Sequence, residues 1–305
     1  MHVWCMGEIL PVDKQDIDEI TRLLRDTLVF DEISIPLVYE KIWGDGDYKP
    51  ELTLKYVEAG RIVGMIIGVK RDTKGYVKLI AVAPEYRNRG IGTQLLERVE
   101  HGLAEVDEIR VVGSPPNYLA PGVDPRYTEA YVFFKRHGYE VCGEACNMEV
   151  VLTADVVRYD HMLERLKAKN ISVGRADRNI SDTIREFIDT HFKGWWPEVE
   201  VGLSNNPPTV FVAEQDNQIV GFAAHKTNNK VLPWFGPMGV DSNFRGMGIG
   251  EALLRCTLAD MYDMGYKKAI IAWVGPIEFY YRTVGAKVTR VFWLMCKRMD
   301  GRADA

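Results

Sequence analysis

A six-residue pattern, Arg-x-x-Gly-x-Gly, occurs twice in this chain and constrains its fold more than any other feature. The two copies are Arg87, Asn88, Arg89, Gly90, Ile91, Gly92 and Arg245, Gly246, Met247, Gly248, Ile249, Gly250. Each copy follows an apolar run and precedes a pattern of helical periodicity. Glycine reaches positive φ at little cost, and the first turn of a helix offers unpaired N–H groups. Each copy therefore predicts a loop that binds a pyrophosphate at a helix N-terminus.

The surroundings of the two loops also repeat. The copies begin 158 residues apart, which is close to the size of one domain. Each loop is followed by an apolar helical pattern, a short strand, an aromatic-rich segment and a glycine, which is Gly138 in the first half and Gly285 in the second. A chain of 305 residues with this repeat is predicted to contain two related units in tandem.

The hydrophobic periodicity also predicts where the units begin and end. Residues 153–170 place apolar side chains on one stripe, so we interpret them as a linker helix. We therefore expect a first domain over residues 1–152 and a second over residues 171–305. Predicted strands of the first domain are residues 7–12, 53–58, 62–70, 76–82, 109–112 and 140–152, and those of the second include residues 171–175, 210–214, 218–226 and 269–274.

Composition and charge exclude several classes of protein. The apolar content of 47% is enough for two ordinary cores. Five cysteines without a Cys-x-x-Cys pair argue against a disulfide framework, and Cys142 and Cys146 lack the further ligands of a metal site. A net charge of −5 without a basic block disfavours nucleic acid and anionic membranes as partners. No apolar stretch reaches the ~18 residues of a membrane span, so we expect a cytoplasmic protein.

The order of strand, Arg-x-x-Gly-x-Gly loop, helix, strand, aromatic-rich helix, Gly-Tyr or Gly-Ala and strand resembles the GNAT superfamily of acyl-CoA-dependent N-acyltransferases. The resemblance covers most of both halves. It implies an α/β fold of two tandem domains, each a twisted, mixed, mostly antiparallel sheet flanked by helices. It also implies that coenzyme A, as acetyl-CoA, binds to both loops and to the strands before them, which contribute Ile80, Ala81, Val82, Met238, Gly239 and Val240.

The reaction implied by the resemblance needs an acid for the departing thiolate and a neutral acceptor amine. An alkylammonium with a pKa near ~10 costs roughly 4 kcal/mol to deprotonate at neutral pH. The family commonly uses a tyrosine about four residues before the glycine that follows the aromatic-rich helix. That spacing gives Tyr281, and a helix longer by one residue would substitute Tyr280. The same spacing gives Phe134 in the first unit, so we expect the main activity in the second unit.

The general base stays open. Glu214, Asp241 and His225 are candidates, yet a solvated strand end, a helix-entry cap and a satisfied imidazole are the commoner roles for such residues. In the first unit, Tyr127 and Tyr131 are possible substitutes for the missing acid.

The resemblance places the acceptor pocket of the second unit between residues 191–198 and the splayed strands. The candidate lining residues are Trp195, Trp196, Glu198, Trp234 and Trp273. Aromatic faces stack on sugar rings or hold cations, and a carboxylate can bind hydroxyls or an ammonium. Ordinary core packing explains each tryptophan about equally well. This unit is similar to tandem GNAT enzymes that acetylate glucosamine and glucosaminides.

The sequence thus predicts an acetyl-CoA-dependent N-acetyltransferase acting on the primary amine of a small molecule, with an amino sugar such as glucosamine favoured. The alternative is an acyl-CoA-binding regulatory or sensor protein in which one or both domains are catalytically silent. Neither loop has the order of a P-loop or of a dinucleotide-binding motif. The proline-rich residues 114–127 are expected to form a rigid irregular loop that caps the first unit's cleft or contacts its neighbour.

Overall fold

The computed structural model describes residues 7–299 and divides into two compact units. Unit 1 consists of Met1–Ala145 together with Phe292–Ala305, and unit 2 consists of Cys146–Val291. Residues 1–6, which include Cys5, and residues 300–305 lie outside the described residues. Each helix between residues 7 and 299 is too short or too polar to cross a membrane.

Unit 1 is a mixed sheet with helices packed on it. The sheet order is β1-β2-β3-β4-β5-β12, antiparallel throughout except for the parallel pair β4 and β5. Its elements are β1 (Glu8–Pro11), α1 (Ile17–Thr27), α2 (Ile35–Ile42), β2 (Thr53–Glu58), β3 (Arg61–Arg71), β4 (Lys74–Val82), α3 (Ile91–Gly102), β5 (Glu108–Val111), α4 (Thr128–Arg136), the first part of β6 (Glu140–Val151) and the last part of β12 (Lys287–Arg298).

Unit 2 repeats this plan. Its sheet order is β6-β11-β10-β9-β8-β7, and of the neighbouring pairs in this order only β10 and β11 run parallel. Besides its parts of β6 and β12, its elements are α5 (Asp160–Lys167), β7 (Ile171–Arg175), α6 (Ser181–His191), α7 (Trp196–Ser204), β8 (Val210–Gln215), β9 (Gln218–His225), β10 (Trp234–Val240), α8 (Ile249–Asp263), β11 (Lys268–Ile271) and α9 (Ile277–Val284).

The strands that complete the two sheets change the predicted domain boundaries. In β6, residues 148–151 pair with β11, so they belong to unit 2 and not to the first domain of residues 1–152. In β12, residues 295–298 pair with β5, so the end of the chain belongs to unit 1. A strand belongs to the sheet that holds its hydrogen-bonding partner, and local hydrophobic patterning does not encode that partner.

The predicted apolar helix faces are buried, whereas the linker helix is shorter than predicted. In α3, Leu95, Leu96 and Val99 are fully buried, and in α8 the residues Leu253, Leu254, Leu258 and Met261 are equally buried. Residues 154–157 form a turn, the residues on either side of it are irregular, and only Asp160–Lys167 is helical. The apolar stripe of residues 153–170 packs against the core of unit 2.

Candidate active site

The glycine-rich loop of unit 2 leads directly into α8. Gly246 has φ +77° and Gly248, the residue before the first turn of α8, has φ +93°. A Cβ built on either glycine would meet no atom within 4 Å, so the space in front of the loop is open. The first-turn N–H groups of α8 border this space, and they lie at the positive end of the helix dipole. The loop therefore fits a pyrophosphate.

The loop of unit 1 has the same backbone conformation. Asn88, at φ +59°, takes the place of Gly246, and Gly90, at φ +81°, precedes α3 as Gly248 precedes α8. Asparagine is one of the few side chains that tolerate this region. The Arg87 Nε donates to the carbonyl of Val82 at 3.1 Å, which fixes the entry of the loop. Both glycine-rich loops thus combine positive φ values with a helix N-terminus.

The strand before each loop separates from its parallel neighbour. In unit 2 the pairing of β10 with β11 runs from Trp234 to Phe235 and then ends. The pairing of β10 with β9 shifts register between Phe235 and Met238, which marks a β-bulge at this point. Trp273, two residues beyond β11, has φ +48°, so the second strand also turns away. Met238, Gly239 and Val240 therefore form one wall of an opening between the two strands.

The aromatic helix places Tyr280 and Tyr281 in different surroundings. The Tyr280 side chain is buried in the core of unit 2, and its ring packs edge-on against Phe235 at the end of the β10–β11 pairing. Burial raises the pKa of Tyr280, so the phenol keeps its proton at neutral pH. Tyr281 is 60% exposed. The sequence spacing favoured Tyr281, but the geometry brings Tyr280 to the base of the opening.

A contact common to both units explains this shift of one residue. A Cβ on Gly92 would lie 3.3 Å from the ring of Phe133, and one on Gly250 would lie 3.5 Å from the ring of Phe279. Phe279 is thus the counterpart of Phe133, which makes Tyr280 the counterpart of Phe134. The helix of unit 2 has one extra residue before Gly285, so counting back from the glycine gives the wrong correspondence between the units.

The unit 1 tyrosines named as substitutes are engaged elsewhere. The hydroxyl of Tyr127 donates to Asp31 Oδ2 at 2.7 Å and accepts from the Phe30 N–H at 2.9 Å. The ring of Tyr131 packs 4.6 Å from that of Trp293. Phe134 itself is fully buried against Phe133 and Tyr139.

Part of the predicted acceptor loop forms an aromatic stack on β10. The rings of Phe192 and Trp195 stack at 5.3 Å and 17°. A Cβ on Gly239 would lie 2.4 Å from the Phe192 ring, so this glycine lets the ring sit directly on β10. Trp195 is 38% exposed and presents its other surface outward. Sequence reasoning did not select Phe192, although the glycine at position 239 is the signal that could have found it.

The remaining predicted pocket residues differ in their exposure. Trp196 begins α7 and is buried in a core cluster with the Arg185 guanidinium 5.6 Å from its ring, so it does not line an open pocket. Glu198 lies half-buried in the first turn of the same helix. Trp234 is buried on β10. The backbone N–H of Trp273 donates to Asn147 Oδ1 at 3.0 Å, and this contact stabilises the turn that follows β11.

The three base candidates have structural partners. Asp241 accepts from the Asn243 N–H at 2.9 Å and caps the turn before the loop. His225 is fully buried, and its Nε2 lies 2.7 Å from Asp260 Oδ2 on α8. Glu214 is half-buried where β8 pairs with Ile219 of β9. The cap expected for Asp241 is present, whereas the satisfied imidazole expected for His225 is only half realised: its Nε2 is paired with Asp260, and its buried Nδ1 has no hydrogen-bond partner among residues 7–299.

Comparison with protein families gives one domain in each unit. The profile described as "Acetyltransferase (GNAT) domain" matches residues 51–141, and that described as "Acetyltransferase (GNAT) family" matches residues 177–285. Comparison with curated protein sequences gave no match.

Solved structures share this fold across the whole chain. A glucosamine N-acetyltransferase region of a fungal multi-domain GH3 beta-N-acetylglucosaminidase is 21% identical with a TM-score of 0.80; the alignment covers 95% of this chain but 38% of that longer one. A GCN5-related N-acetyltransferase from Sphaerobacter thermophilus is 17% identical, with a TM-score of 0.70 and coverage of 99% and 98%. A tandem GNAT protein from the clavulanic acid biosynthesis pathway is 14% identical, with a TM-score of 0.65 and coverage of 98% and 100%.

Proposed function

We propose that unit 2 transfers an acetyl group from acetyl-CoA to the primary amine of a small molecule. The proposal starts from the family of this chain, which belongs to the GNAT acetyltransferases and has one such domain in each unit. The observation that carries the proposal is the position of Tyr280. A buried phenol lies where β10 and β11 separate, and an open glycine-rich loop follows the same strand. Together these features offer a binding site for coenzyme A and a phenol proton where the two strands separate.

The cofactor site is assigned to backbone and strand residues. The pyrophosphate would be held at the first turn of α8 by the loop Arg245, Gly246, Met247, Gly248, Ile249 and Gly250. Met238, Gly239 and Val240 would line the arm that follows. When bound, coenzyme A supplies the acetyl thioester.

Tyr280 is proposed as the acid. Its hydroxyl holds a proton at neutral pH because a tyrosine pKa is ordinarily ~10, and burial raises the pKa of Tyr280 further. That proton is proposed to pass to the departing sulfur. A positioned proton donor of this kind contributes about 10²- to 10⁴-fold to a rate. Tyr281 is the other candidate on the same helix, but its exposed side chain makes it less suited to a water-poor site.

An amino sugar, such as glucosamine, is the proposed acceptor. The exposed surface of Trp195 is supported by Phe192, which rests on the cofactor strand at Gly239. A flat, rigid aromatic face of this kind suits a sugar ring. The fungal structure described as a glucosamine N-acetyltransferase region supports the same choice. Glu198 is the nearby carboxylate proposed to bind hydroxyls or the ammonium.

A second candidate function is binding of acyl-CoA without turnover, as in a regulatory or sensor protein. Phe134 favours it for unit 1, because a phenyl ring in the position of Tyr280 has no proton to give.

Release of free thiol from acetyl-CoA across a panel of amines tests the proposal. The panel contains glucosamine, polyamines, aminoglycosides, amino acids and a lysine peptide. We expect release with glucosamine above the rate of hydrolysis without an acceptor. Calorimetric binding of coenzyme A without release on any acceptor would contradict the transferase and favour the sensor.

A further inference from the structure

The β-bulge of unit 1 carries a lysine where unit 2 has a glycine. In β4, Leu79 pairs with Ile67 and Val77 pairs with Gly68, so Lys78 is the extra residue of the bulge. Val77 is also the last residue of β4 that pairs with β5. Lys78 thus stands at the base of the opening between the two strands. Gly236 has the same place in unit 2, since each residue lies nine positions before the first arginine of its loop.

The side chain of Lys78 is fully enclosed. Its Nζ donates to the carbonyl of Lys41 at 2.7 Å and forms an ion pair with Asp45 Oδ2. Both ion-paired side chains are only 1% exposed. Burial lowers the pKa of Lys78 to about 7, with Asp45 acting in the opposite direction. Burial alone would raise the pKa of Asp45, but Lys78 and Arg71 together hold it below its usual range.

A hydrogen-bonded network connects this ion pair to the proline-rich segment. Arg71 binds both carboxylate oxygens of Asp45, at 2.8 and 3.1 Å, and its Nη2 also donates to the carbonyl of Ser114 at 3.3 Å. Asn117 donates to the carbonyl of Glu40 at 2.8 Å. Buried or half-buried polar groups therefore join the end of β3, α2 with the segment after it, and the start of the proline-rich segment.

The far end of the proline-rich segment is held to the same side of unit 1. Tyr127 bonds to Asp31 and to the N–H of Phe30, and the Arg126 guanidinium lies 4.2 Å from the Phe30 ring. Residues 114–127 are thus fastened at both ends to the segments that follow α1 and α2. Of the two roles expected for this loop, the contacts support the cap over the cleft of unit 1.

We propose that the acceptor position of unit 1 is occupied by the Lys78–Asp45 ion pair and by residues 114–127. The glycine-rich loop of unit 1 then binds coenzyme A, but no acyl group passes to an external amine. The inference rests on the proposed function of unit 2, where Gly236 leaves the corresponding place without a side chain. An acceptor must reach the thioester at the base of the opening, and in unit 1 an enclosed ion pair fills that region. Unit 1 then holds coenzyme A as a ligand that does not turn over.

Calorimetry with coenzyme A on the full chain, combined with thiol release, tests this division. Asn88→Asp in unit 1 and Gly248→Asp in unit 2 each place a negative charge beside the expected pyrophosphate. We expect two coenzyme A molecules per wild-type chain and one per chain of either variant. Gly248→Asp should abolish thiol release with the best amine of the panel. Asn88→Asp is nearly isosteric and keeps a side chain that tolerates positive φ, so it preserves the fold.

Three results would overturn the proposal. One is a single coenzyme A site in the wild type that Asn88→Asp leaves unchanged, because unit 1 would then bind nothing. Another is acceptor-dependent thiol release by a correctly folded Gly248→Asp chain. The third is acetylation of Lys78 after incubation with acetyl-CoA, detected by peptide mass spectrometry, because the thioester would then reach the ion pair. If the wild type acetylates no amine, the transferase proposal for unit 2 fails, while the count of coenzyme A molecules still tests unit 1.

Discussion

The ring of Tyr280 meets the ring of Phe235 edge-on, with centroids 6.3 Å apart and an interplanar angle of 79°. Phe235 is the last residue of β10 that pairs with β11, so this contact fixes a phenol at the point where the strands part. In unit 1 the counterpart of Tyr280 is Phe134, which is equally buried but carries no hydroxyl. The two units therefore share a scaffold and differ by a hydroxyl group at this position.

Replacing Tyr280 by phenylalanine should lower kcat by about 10²- to 10⁴-fold with little change in KM, because the ring still fills its place and only the proton donor is lost. Steady-state kinetics with the best amine of the panel measure both constants. Tyr281→Phe is the matched control on the same helix and should leave kcat unchanged. The assignment is wrong if Tyr281→Phe is the slow variant and Tyr280→Phe retains wild-type turnover.

Replacing Gly248 by alanine should weaken coenzyme A binding by unit 2. A side chain at φ +93° carries a strain of about 1–2 kcal/mol, which corresponds to roughly 5- to 30-fold in the dissociation constant if the loop must return to this conformation to bind. Calorimetry measures the constant. Gly275→Ala is the control, since a Cβ there meets no atom within 4 Å. Equal affinities of the two variants would argue against the loop as the pyrophosphate site.

Replacing Trp195 by alanine should raise KM for the acceptor by about 2- to 10-fold, given about 0.5–1.5 kcal/mol for a stacked aromatic pair. The melting temperature should change little, because Trp195 is partly exposed. Trp196→Ala is the contrasting variant. It removes a buried side chain and should cost about 3–5 kcal/mol of stability. If Trp195→Ala leaves the acceptor KM unchanged, the exposed surface of Trp195 is not part of the acceptor pocket.

Lys78 should make the stability of unit 1 depend on pH. Its pKa is about 7 in the folded protein and near the ordinary 10.5 in the unfolded chain, so between these values the unfolded chain binds the extra proton. The free energy of unfolding should therefore rise with pH, by at most about 1.4 kcal/mol per unit. Urea unfolding of the full chain between pH 7 and 9 measures this rise.

Lys78→Met should remove that part of the pH dependence. Lys70→Met is the matched control, because the Lys70 ammonium pairs at the surface with the exposed Glu105, and it should keep the wild-type slope. A slope that is the same in all three proteins would show that Lys78 stays charged in the folded state.

The local features of the site could be predicted from the sequence, because they depend on short-range backbone geometry. Gly90, Gly246 and Gly248 adopt the positive φ values that the repeated motif indicates. The Asp216-Asn217 turn between β8 and β9 also has positive φ at both residues, as expected for a tight hairpin.

Features that depend on partners distant in the chain could not be predicted in the same way. The bulge at Lys78 exists only in the pairing of β4 with β3, whereas the hydrophobic pattern predicts a regular strand over residues 76–82. The choice between Tyr280 and Tyr281 depends on the contact of the Phe279 ring with Gly250, which sets the correspondence between the aromatic helices of the two units. Residues 153–159 have the apolar spacing of a helix but form a turn and irregular segments. Their apolar side chains pack against the core of unit 2, and these tertiary contacts override a weak local helix propensity.

The assignment of residues 295–298 to the sheet of unit 1 sets the order of events during synthesis. Domains generally fold as their residues leave the ribosome, the first before the second. Here the nascent first unit lacks the strand that pairs with β5 until residues 295–298 have been translated. Unit 2, whose strands lie between residues 146 and 291, is synthesised before that point. Unit 1 therefore starts its sheet before unit 2 and completes it afterwards, and one edge of β5 stays unpaired in the meantime.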